Sequence, residues 1–173
     1  MKVSIILAAG EGTRMNSSLP KVVHSIAGKP ILSYVVDICK SNQIDKNIAI
    51  IGHKSEIIKE MLGHEDLNFI EQPLGEGVPY GTGFAVQQAM DEFSDDDLVI
   101  ILTGDTPLFK KETLGNFINY AEKHNQEAFI MTAIVADPSG YGRIIRGDDS
   151  FIKKIVEEKD ATEKEKSVDE VNT

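Results

Sequence analysis

The residues that could do chemistry concentrate in one stretch, which runs from Leu7 to Lys21 and reads Leu-Ala-Ala-Gly-Glu-Gly-Thr-Arg-Met-Asn-Ser-Ser-Leu-Pro-Lys. Its small residues leave the backbone nearly bare, so main-chain N–H and C=O groups can lie against a flat ligand or a phosphate. Arg14 and Lys21 add two cations to the same loop. A bare loop that carries cations and follows an apolar strand is suited to gripping a nucleoside triphosphate.

This loop belongs to neither of the two common phosphate-binding motifs. No Gly-Lys-Ser/Thr follows it, as a P-loop requires, and the third glycine of the dinucleotide fingerprint is missing. A Gly-x-Gly turn after a strand also occurs without any binding function. Arg14 and the Pro20-Lys21 pair favour the functional interpretation.

A single carboxylate, Asp105, follows the most apolar segment of the chain, Leu98–Leu102, within the sequence Thr103-Gly104-Asp105. Mg²⁺ prefers oxygen ligands and is usually coordinated by both the protein and the phosphates of a substrate. An aspartate of a turn or a helix cap is the alternative, because Asp-Thr-Pro-Leu also resembles the approach to a helix. The cationic loop predicted beside it favours a metal ligand.

The sequence shows no pairing of a nucleophile with a base, and its four histidines are scattered without metal-ligand spacing. A sugar phosphate would need no base, because the second pKa of a phosphate monoester is about 6 and the group is largely dianionic at neutral pH. It would need its repulsion from a triphosphate cancelled and its line of attack fixed. Arg14, Lys21 and a Mg²⁺ held by Asp105 are the groups suited to that task.

The elements that must position these residues follow from apolar periodicity. Strands alternate with helices, which predicts an α/β fold of the Rossmann-like, doubly wound type, with a mostly parallel sheet and helices on both faces. In such sheets ligands bind beyond the carboxyl ends of the strands, where the strand order switches. Strands are predicted at 3–7, 47–51, 67–70, 98–102, 128–135 and 152–156, and helices at 31–40, 55–62 with Ser55 as N-cap, 84–93 with Thr82 as N-cap, and 111–124.

Composition limits the classes of partner. The net charge of −10 argues against nucleic acid, whose phosphates demand a basic face. No apolar run approaches the length of a membrane span, and Met1-Lys2 leads directly into a strand, so neither a membrane segment nor a signal peptide is expected. The only cysteine, Cys39, lies in a helical apolar pattern and is expected in the core, which fits a reducing cytoplasm. One domain without a linker is expected over residues 1–173.

The string Leu-Ala-Ala-Gly-x-Gly-Thr-Arg-Met…Leu-Pro-Lys closely resembles the signature of the sugar-1-phosphate nucleotidylyltransferases. Residues 19–30, which have the form Pro-Lys-x-x-His-x-x-x-Gly-Lys, and the segments 141–144 and 156–162 are similar to the bacterial N-acetylglucosamine-1-phosphate uridylyltransferases within that family. The resemblance covers essentially the whole chain and implies the fold of nucleotide-diphospho-sugar transferases. It also implies transfer of UMP from UTP to N-acetylglucosamine 1-phosphate, giving UDP-N-acetylglucosamine and pyrophosphate.

The resemblance assigns roles to individual residues. The amide of Gln72 offers the paired donor and acceptor that suit a uracil edge. Glu157 and Asn172 can bond sugar hydroxyls or the amide of the sugar; the alternatives to sugar binding are a surface glutamate and an asparagine in a turn. The implied roles are nucleotide binding by Leu7, Ala8, Ala9, Gly10, Lys21, Gln72, Gly81 and Thr82, phosphate neutralisation by Arg14 and Lys21, sugar binding by Thr103, Gly104, Gly142, Glu157 and Asn172, and Mg²⁺ binding by Asp105.

Two departures from the family pattern affect these expectations. The loop at 73–80 is several residues longer than the usual loop of the family, which affects the roles assigned to Gln72, Gly81 and Thr82 on either side of it. The chain also ends at Thr173, where the family continues with an asparagine as second metal ligand and with a β-helix acetyltransferase domain through which the whole protein is expected to form a homotrimer. The chain is therefore expected to be a truncated nucleotidylyltransferase domain with feeble turnover.

Two other functions compete with this interpretation. One is another sugar- or alcohol-phosphate nucleotidylyltransferase with the same opening loop. The other is a regulatory module that binds a sugar nucleotide without catalysis, against which the presence of Arg14, Lys21 and Asp105 argues.

Overall fold

The computed structural model describes residues 1–10, 12, 15–79, 81–124 and 126–172. Within it the chain divides into two compact units, Met1–Asn116 and Phe117–Thr173. Assignment of residues 1–173 to one nucleotidylyltransferase domain therefore stays a prediction. Among the described residues no helix is long and apolar enough to cross a lipid bilayer.

The first unit is built on a four-stranded sheet that is parallel throughout. Its strand order is β5-β4-β1-β6, and a two-stranded antiparallel ribbon, β2-β3, lies in the loop that follows β1. The strands are β1 (Lys2–Leu7), β2 (Ser25–Ile26), β3 (Lys29–Pro30), β4 (Lys46–Ile51), β5 (Asn68–Glu71) and β6 (Leu98–Thr103), and the helices are α1 (Ile31–Ser41), α2 (Ser55–Leu62) and α3 (Thr82–Gln87). A fourth helix, α4 (Lys111–Lys123), begins in this unit and ends in the second.

Helices cover both faces of this sheet, as the sequence predicts. Side chains alternate between the two faces of a strand, so Val3 and Ile5 of β1 point one way and pack with Ala85 of α3 in a fully buried cluster. Ser4 points the other way, where it hydrogen-bonds with the buried Cys39 of α1. Since β1 is buried on both sides, its continuous apolar sequence follows directly from its central place.

The strand order switches beside β1. From β1 the chain moves outward to β4 and β5, then returns to place β6 on the opposite side of β1. The crevice at such a switch lies beyond the carboxyl ends of β1 and β6. The sequence places its bare loop after the first of these strands and Asp105 after the second.

The second unit contains an antiparallel sheet of order β7-β10-β8-β9. The sequence predicts a strand over 128–135 that continues the doubly wound pattern. That prediction is wrong in extent and in sheet, because only three residues of the segment are extended and they pair antiparallel within this separate sheet. The elements are β7 (Thr132–Ile134), β8 (Arg143–Arg146), β9 (Ile152–Val156), α5 (Glu163–Lys166) and β10 (Glu170–Asn172).

Two helix starts also differ from the prediction. Neither Ser55 nor Thr82 is an N-cap; each is the first residue of its helix. The N-cap positions are Lys54, with φ 55°, and Gly81, with φ 122°. Positive φ values redirect the chain sharply, so backbone geometry rather than a capping hydroxyl starts both helices. The helix predicted over 84–93 is α3, which ends at Gln87 and is followed by a 3-10 turn at Met90–Glu92.

Candidate functional site

An open cleft of about 670 Å³ lies at the carboxyl ends of β1 and β6, within the first unit. It is formed mainly by the loop after β1, the end of β5, the start of α3 and the end of β6. This is the crevice that the strand order predicts. Its lining residues are Leu7, Ala8, Ala9, Gly10, Gly12, Met15, Lys21, Val22, Gln72, Gly81, Thr82, Ala85, Thr103 and Asp105.

An ion pair between Lys21 and Asp105 crosses the cleft. Lys21 Nζ lies 2.6 Å from Asp105 Oδ2, although the two residues are 84 positions apart in the sequence. Both side chains stay accessible, with exposed fractions of 41% and 36%. A substrate that enters the cleft therefore meets a cation and a carboxylate at one point, and both can exchange their partner.

Local geometry explains why Lys21 reaches the cleft. Lys21 opens a short 3-10 turn whose next two residues, Val22 and Val23, are buried and anchor it. The loop passes close above the lysine at Gly12, where a Cβ would lie 2.9 Å from Lys21 Cβ. Gly12 also has φ 62°, a left-handed conformation that favours glycine.

Asp105 is placed by the glycine that precedes it. The N–H of Gly104 donates to the Leu7 carbonyl at 2.9 Å, which holds the end of β6 against the end of β1. A Cβ on Gly104 would lie 2.9 Å from that same carbonyl oxygen. Gly104 is buried and does not line the cleft, so the structure shows a packing role for it. Its neighbours Thr103 and Asp105 line the cleft.

The structure brings the predicted nucleotide-binding residues together. All eight line the cleft. Apart from Lys21, they come from three segments of the chain: Leu7–Gly10, Gln72 and Gly81-Thr82. Gln72 is only 6% exposed, and its own N–H donates to the Ile51 carbonyl at 2.7 Å, which fixes the position of its backbone at the end of β5. Arg14, the second predicted cation, lies outside the described residues, so its role stays a prediction.

The three remaining sugar-binding candidates lie at one end of the sheet in the second unit. Arg143 of β8 pairs with Val156 of β9 on one side and with Val171 of β10 on the other. The adjacent residues Gly142, Glu157 and Asn172 therefore lie at the same end of three neighbouring strands. The Asn172 N–H donates to the Gly142 carbonyl at 3.1 Å, and a Cβ on Gly142 would lie 2.8 Å from Asn172 Oδ1.

Sequence reasoning gives no role to Arg143, although its side chain is the largest of the fully buried ones, with 2% exposed. Its guanidinium binds the Tyr141 carbonyl through Nη1 and Glu158 Oε2 through Nη2, the latter at 2.6 Å. The Arg143 guanidinium holds the pKa of the Glu158 carboxyl below its usual range. An arginine directly before the apolar pair Ile144-Ile145 is the signal that could have identified it.

The donor set in the cleft fits a divalent cation held partly by a substrate. No group of three His, Cys, Asp or Glu side chains that could cage a metal occurs among the residues that the structure describes. Among the described residues that line the cleft, Asp105 alone carries a carboxylate. Mg²⁺ is commonly bound through one or two carboxylates together with substrate phosphates rather than by a complete protein cage. The cleft thus suits a metal that arrives with a nucleotide.

Solved structures share this architecture. A structure from Bacillus anthracis assigned as a glucose-1-phosphate thymidylyltransferase, in complex with sucrose, matches all of this chain and 69% of that chain with a TM-score of 0.77 and 18% identity. HddC from Yersinia pseudotuberculosis, complexed with GMP-PN, matches 91% of this chain and 69% of its own with a TM-score of 0.65 and 25% identity. The fold is thus the α/β fold of nucleotide-sugar transferases.

Residues 4–143 match the MobA-like NTP transferase domain, and the chain belongs to that family. Proteins named bifunctional protein GlmU are similar over nearly the whole chain. The one from Clostridioides difficile is 39% identical over 98% of this chain, and that from Thermoanaerobacter pseudethanolicus is 44% identical over 99%. The chain spans 36% of the length of each of these two relatives.

Proposed function

We propose that this chain carries the nucleotidyl-transfer site of an enzyme that joins UTP to N-acetylglucosamine 1-phosphate and releases pyrophosphate. The observation that carries the proposal is the Lys21–Asp105 pair, with its 2.6 Å contact in a cleft lined by bare backbone. Similarity to GlmU proteins over nearly the whole chain supports the uridylyltransferase rather than another sugar-phosphate nucleotidylyltransferase.

The proposed reaction needs positioning and charge neutralisation rather than a base. A phosphate oxygen of the sugar phosphate attacks the α-phosphorus of UTP and forms a P–O bond, while the bond from that phosphorus to the β-phosphate oxygen breaks. Pyrophosphate leaves with the electron pair. Lys21 would neutralise charge that develops on the triphosphate, and the backbone of Leu7–Gly10 would fix the nucleotide in line for attack.

We propose Mg²⁺ as the cation, with Asp105 as its ligand from this chain. A bound Mg²⁺ would supply positive charge to the phosphates. Since Lys21 Nζ lies 2.6 Å from Asp105 Oδ2, the two residues would separate when nucleotide and metal are bound, with Lys21 turning to a phosphate. Both side chains are accessible enough to make that exchange within the cleft.

In this proposal, separate sets of residues recognise the two substrates. Gln72 and the Gly81-Thr82 pair would bind the uracil, for which Gln72 offers an amide donor and acceptor. Gly142, Glu157 and Asn172 would bind the N-acetyl sugar, because an asparagine amide and a carboxylate can hydrogen-bond hydroxyl and amide groups. Thr103 would border the sugar phosphate from the end of β6.

The test is pyrophosphate release by the full-length protein that carries this chain. We expect release with UTP plus N-acetylglucosamine 1-phosphate, dependent on Mg²⁺, and much slower release when another nucleoside triphosphate or sugar phosphate replaces either substrate. Faster turnover of another pair would assign a different nucleotidylyltransferase. Tight binding of UDP-N-acetylglucosamine without turnover in the presence of Mg²⁺ would instead indicate a non-catalytic binding module.

The cellular setting belongs to the same proposal. UTP and sugar phosphates are cytoplasmic metabolites, and the free thiol of Cys39 is compatible with a reducing compartment. Acetyl transfer and homotrimer formation are expected from the resemblance alone, and the chain spans 36% of the length of these GlmU relatives. Both stay predictions.

A further inference from the structure

Arg143 is a charged side chain in an environment that normally excludes charge. It lies in β8 between β9 and β10, and its side chain is 2% exposed. A buried guanidinium loses most of its hydration, which costs more than a single ion pair usually returns. Well-packed apolar residues would stabilise such a position at least as well. Fold stability alone therefore does not explain the arginine.

The contacts of Arg143 join two segments that are distant in the sequence. Nη1 donates to the Tyr141 carbonyl, and Nη2 donates to Glu158 Oε2 at 2.6 Å. The same Glu158 oxygen accepts from the Gly140 N–H at 3.3 Å. The guanidinium and one carboxylate thus tie residues 140–141 to residue 158.

Each of the two segments carries a proposed sugar-binding residue. Gly142 directly follows Tyr141, and Glu157 directly precedes Glu158. Asn172, the third, is fixed to Gly142 by a backbone hydrogen bond of 3.1 Å, and its Oδ1 would lie 2.8 Å from a Cβ on Gly142. The Arg143–Glu158 pair therefore adds a side-chain contact next to Gly142 and Glu157, where the backbone ladder between β8 and β9 ends at Arg143 and Val156.

We propose that Arg143 and Glu158 are positioning residues that hold Gly142, Glu157 and Asn172 in the arrangement that binds the N-acetyl sugar. This inference rests on the proposed function, because it assigns the selectivity of the sugar subsite to a pair that does not touch substrate. It predicts that breaking the pair weakens binding of the sugar phosphate and leaves binding of the nucleotide intact. Loss of folded protein would instead lower kcat and leave both KM values unchanged.

The experiment compares Glu158→Gln with Glu170→Gln in the full-length protein. Glu170 is a matched control, because its carboxylate also pairs with an arginine, Arg146 at 2.6 Å, but at the opposite end of the same strands. For E158Q we expect the KM for N-acetylglucosamine 1-phosphate to rise ~5- to 20-fold, as loss of orientation commonly does, with the KM for UTP changed less than ~2-fold. For E170Q we expect both KM values to stay within ~2-fold of the unmodified protein.

Failure of this inference is distinct from failure of the proposed function. If the unmodified protein releases no pyrophosphate from these two substrates, the proposed function is wrong. If it does, and E158Q gives the same KM values as E170Q, the positioning role is wrong. Arg143→Lys keeps the buried charge but loses the two-pronged contact, so a selective rise in the sugar KM is also expected there. Unchanged KM values in R143K would overturn the inference even if E158Q does not fold.

Discussion

Replacing Lys21 with methionine separates the contribution of its charge to folding from its contribution to catalysis. Methionine keeps much of the length and apolar surface of lysine and removes the ammonium. The exposed fractions of Lys21 and Asp105 are 41% and 36%, and ion pairs this accessible stabilise proteins by only ~0–1 kcal/mol. We therefore expect K21M to lower the free energy of unfolding by less than ~1 kcal/mol.

The expected catalytic effect is larger. The ammonium stands in a cleft whose other described lining residues include no Arg or Lys, so charge that develops on the triphosphate loses a fixed partner in K21M. Loss of one preorganised group of this kind typically costs ~2–4 kcal/mol of transition-state stabilisation. At ~1.4 kcal/mol for each factor of ten, kcat is expected to fall ~30- to 700-fold.

The assay measures pyrophosphate release at saturating UTP and sugar phosphate, alongside denaturant unfolding of the same preparation. Lys40→Met is a matched control, because Lys40 on α1 pairs with Glu65 at 3.0 Å and does not line the cleft. We expect K40M to resemble K21M in stability and the unmodified protein in rate. The reasoning is refuted if K21M keeps its rate, or if its rate falls only as far as its folded fraction does.

Three further changes have expected outcomes. Burial raises the pKa of the Cys39 thiol to about 11, so the stability that this thiol contributes is complete below the unfolded pKa of about 9 and is lost between pH 9 and 11. Cys39→Ala should flatten that alkaline decline by up to ~3 kcal/mol in denaturant titrations, and an unchanged slope would contradict it. Gly104→Ala would place Cβ 2.9 Å from the Leu7 carbonyl oxygen and should cost ~1–3 kcal/mol of unfolding free energy; a neutral change would show that the ends of β1 and β6 separate freely. Lys54→Gly should raise the free energy of unfolding by ~1 kcal/mol, because Lys54 has the left-handed φ of 55° that glycine adopts without strain. Gln43→Gly, at φ 54°, should give a similar rise in thermal unfolding, and no rise in either variant would contradict the prediction.

The parallel sheet was predictable because the apolar sequences of its strands indicate that they are buried. A strand covered on both faces has a nearly continuous apolar sequence, as β1 and β4 do, and the predicted segments 3–7, 47–51 and 98–102 match β1, β4 and β6 to within a residue. The antiparallel sheet was not predictable in the same way. The predicted strand at 152–156 matches β9, but β7, β8 and β10 are only three or four residues long and leave too short a pattern to recognise.

The candidate cleft was predictable from chemistry and topology together. Bare backbone after β1 and a carboxylate after β6 must meet if the strand order switches between them, and Lys21 and Asp105 do meet. The Arg143–Glu158 pair was hidden because it depends on the register of β8 against β9. Register is a long-range property, so a single sequence does not state which side chains it brings together.

An acidic chain that binds a triphosphate must solve an electrostatic problem, and the Lys21–Asp105 pair offers a solution. With a net charge of −10, the long-range field repels a polyanion, so attraction must be local and must operate at short range. A lone ammonium in an empty cleft would be free to fold back onto any of many carboxylates. Because it is held 2.6 Å from Asp105, the Lys21 ammonium is already positioned in the cleft where the proposed triphosphate would bind. A polyanion that takes the lysine frees Asp105, whose negative charge would then attract a divalent cation to the same phosphates. Under the proposed function, the pair would thus couple the arrival of the nucleotide to the release of a metal ligand, and substrate phosphates would supply further ligands to the cation.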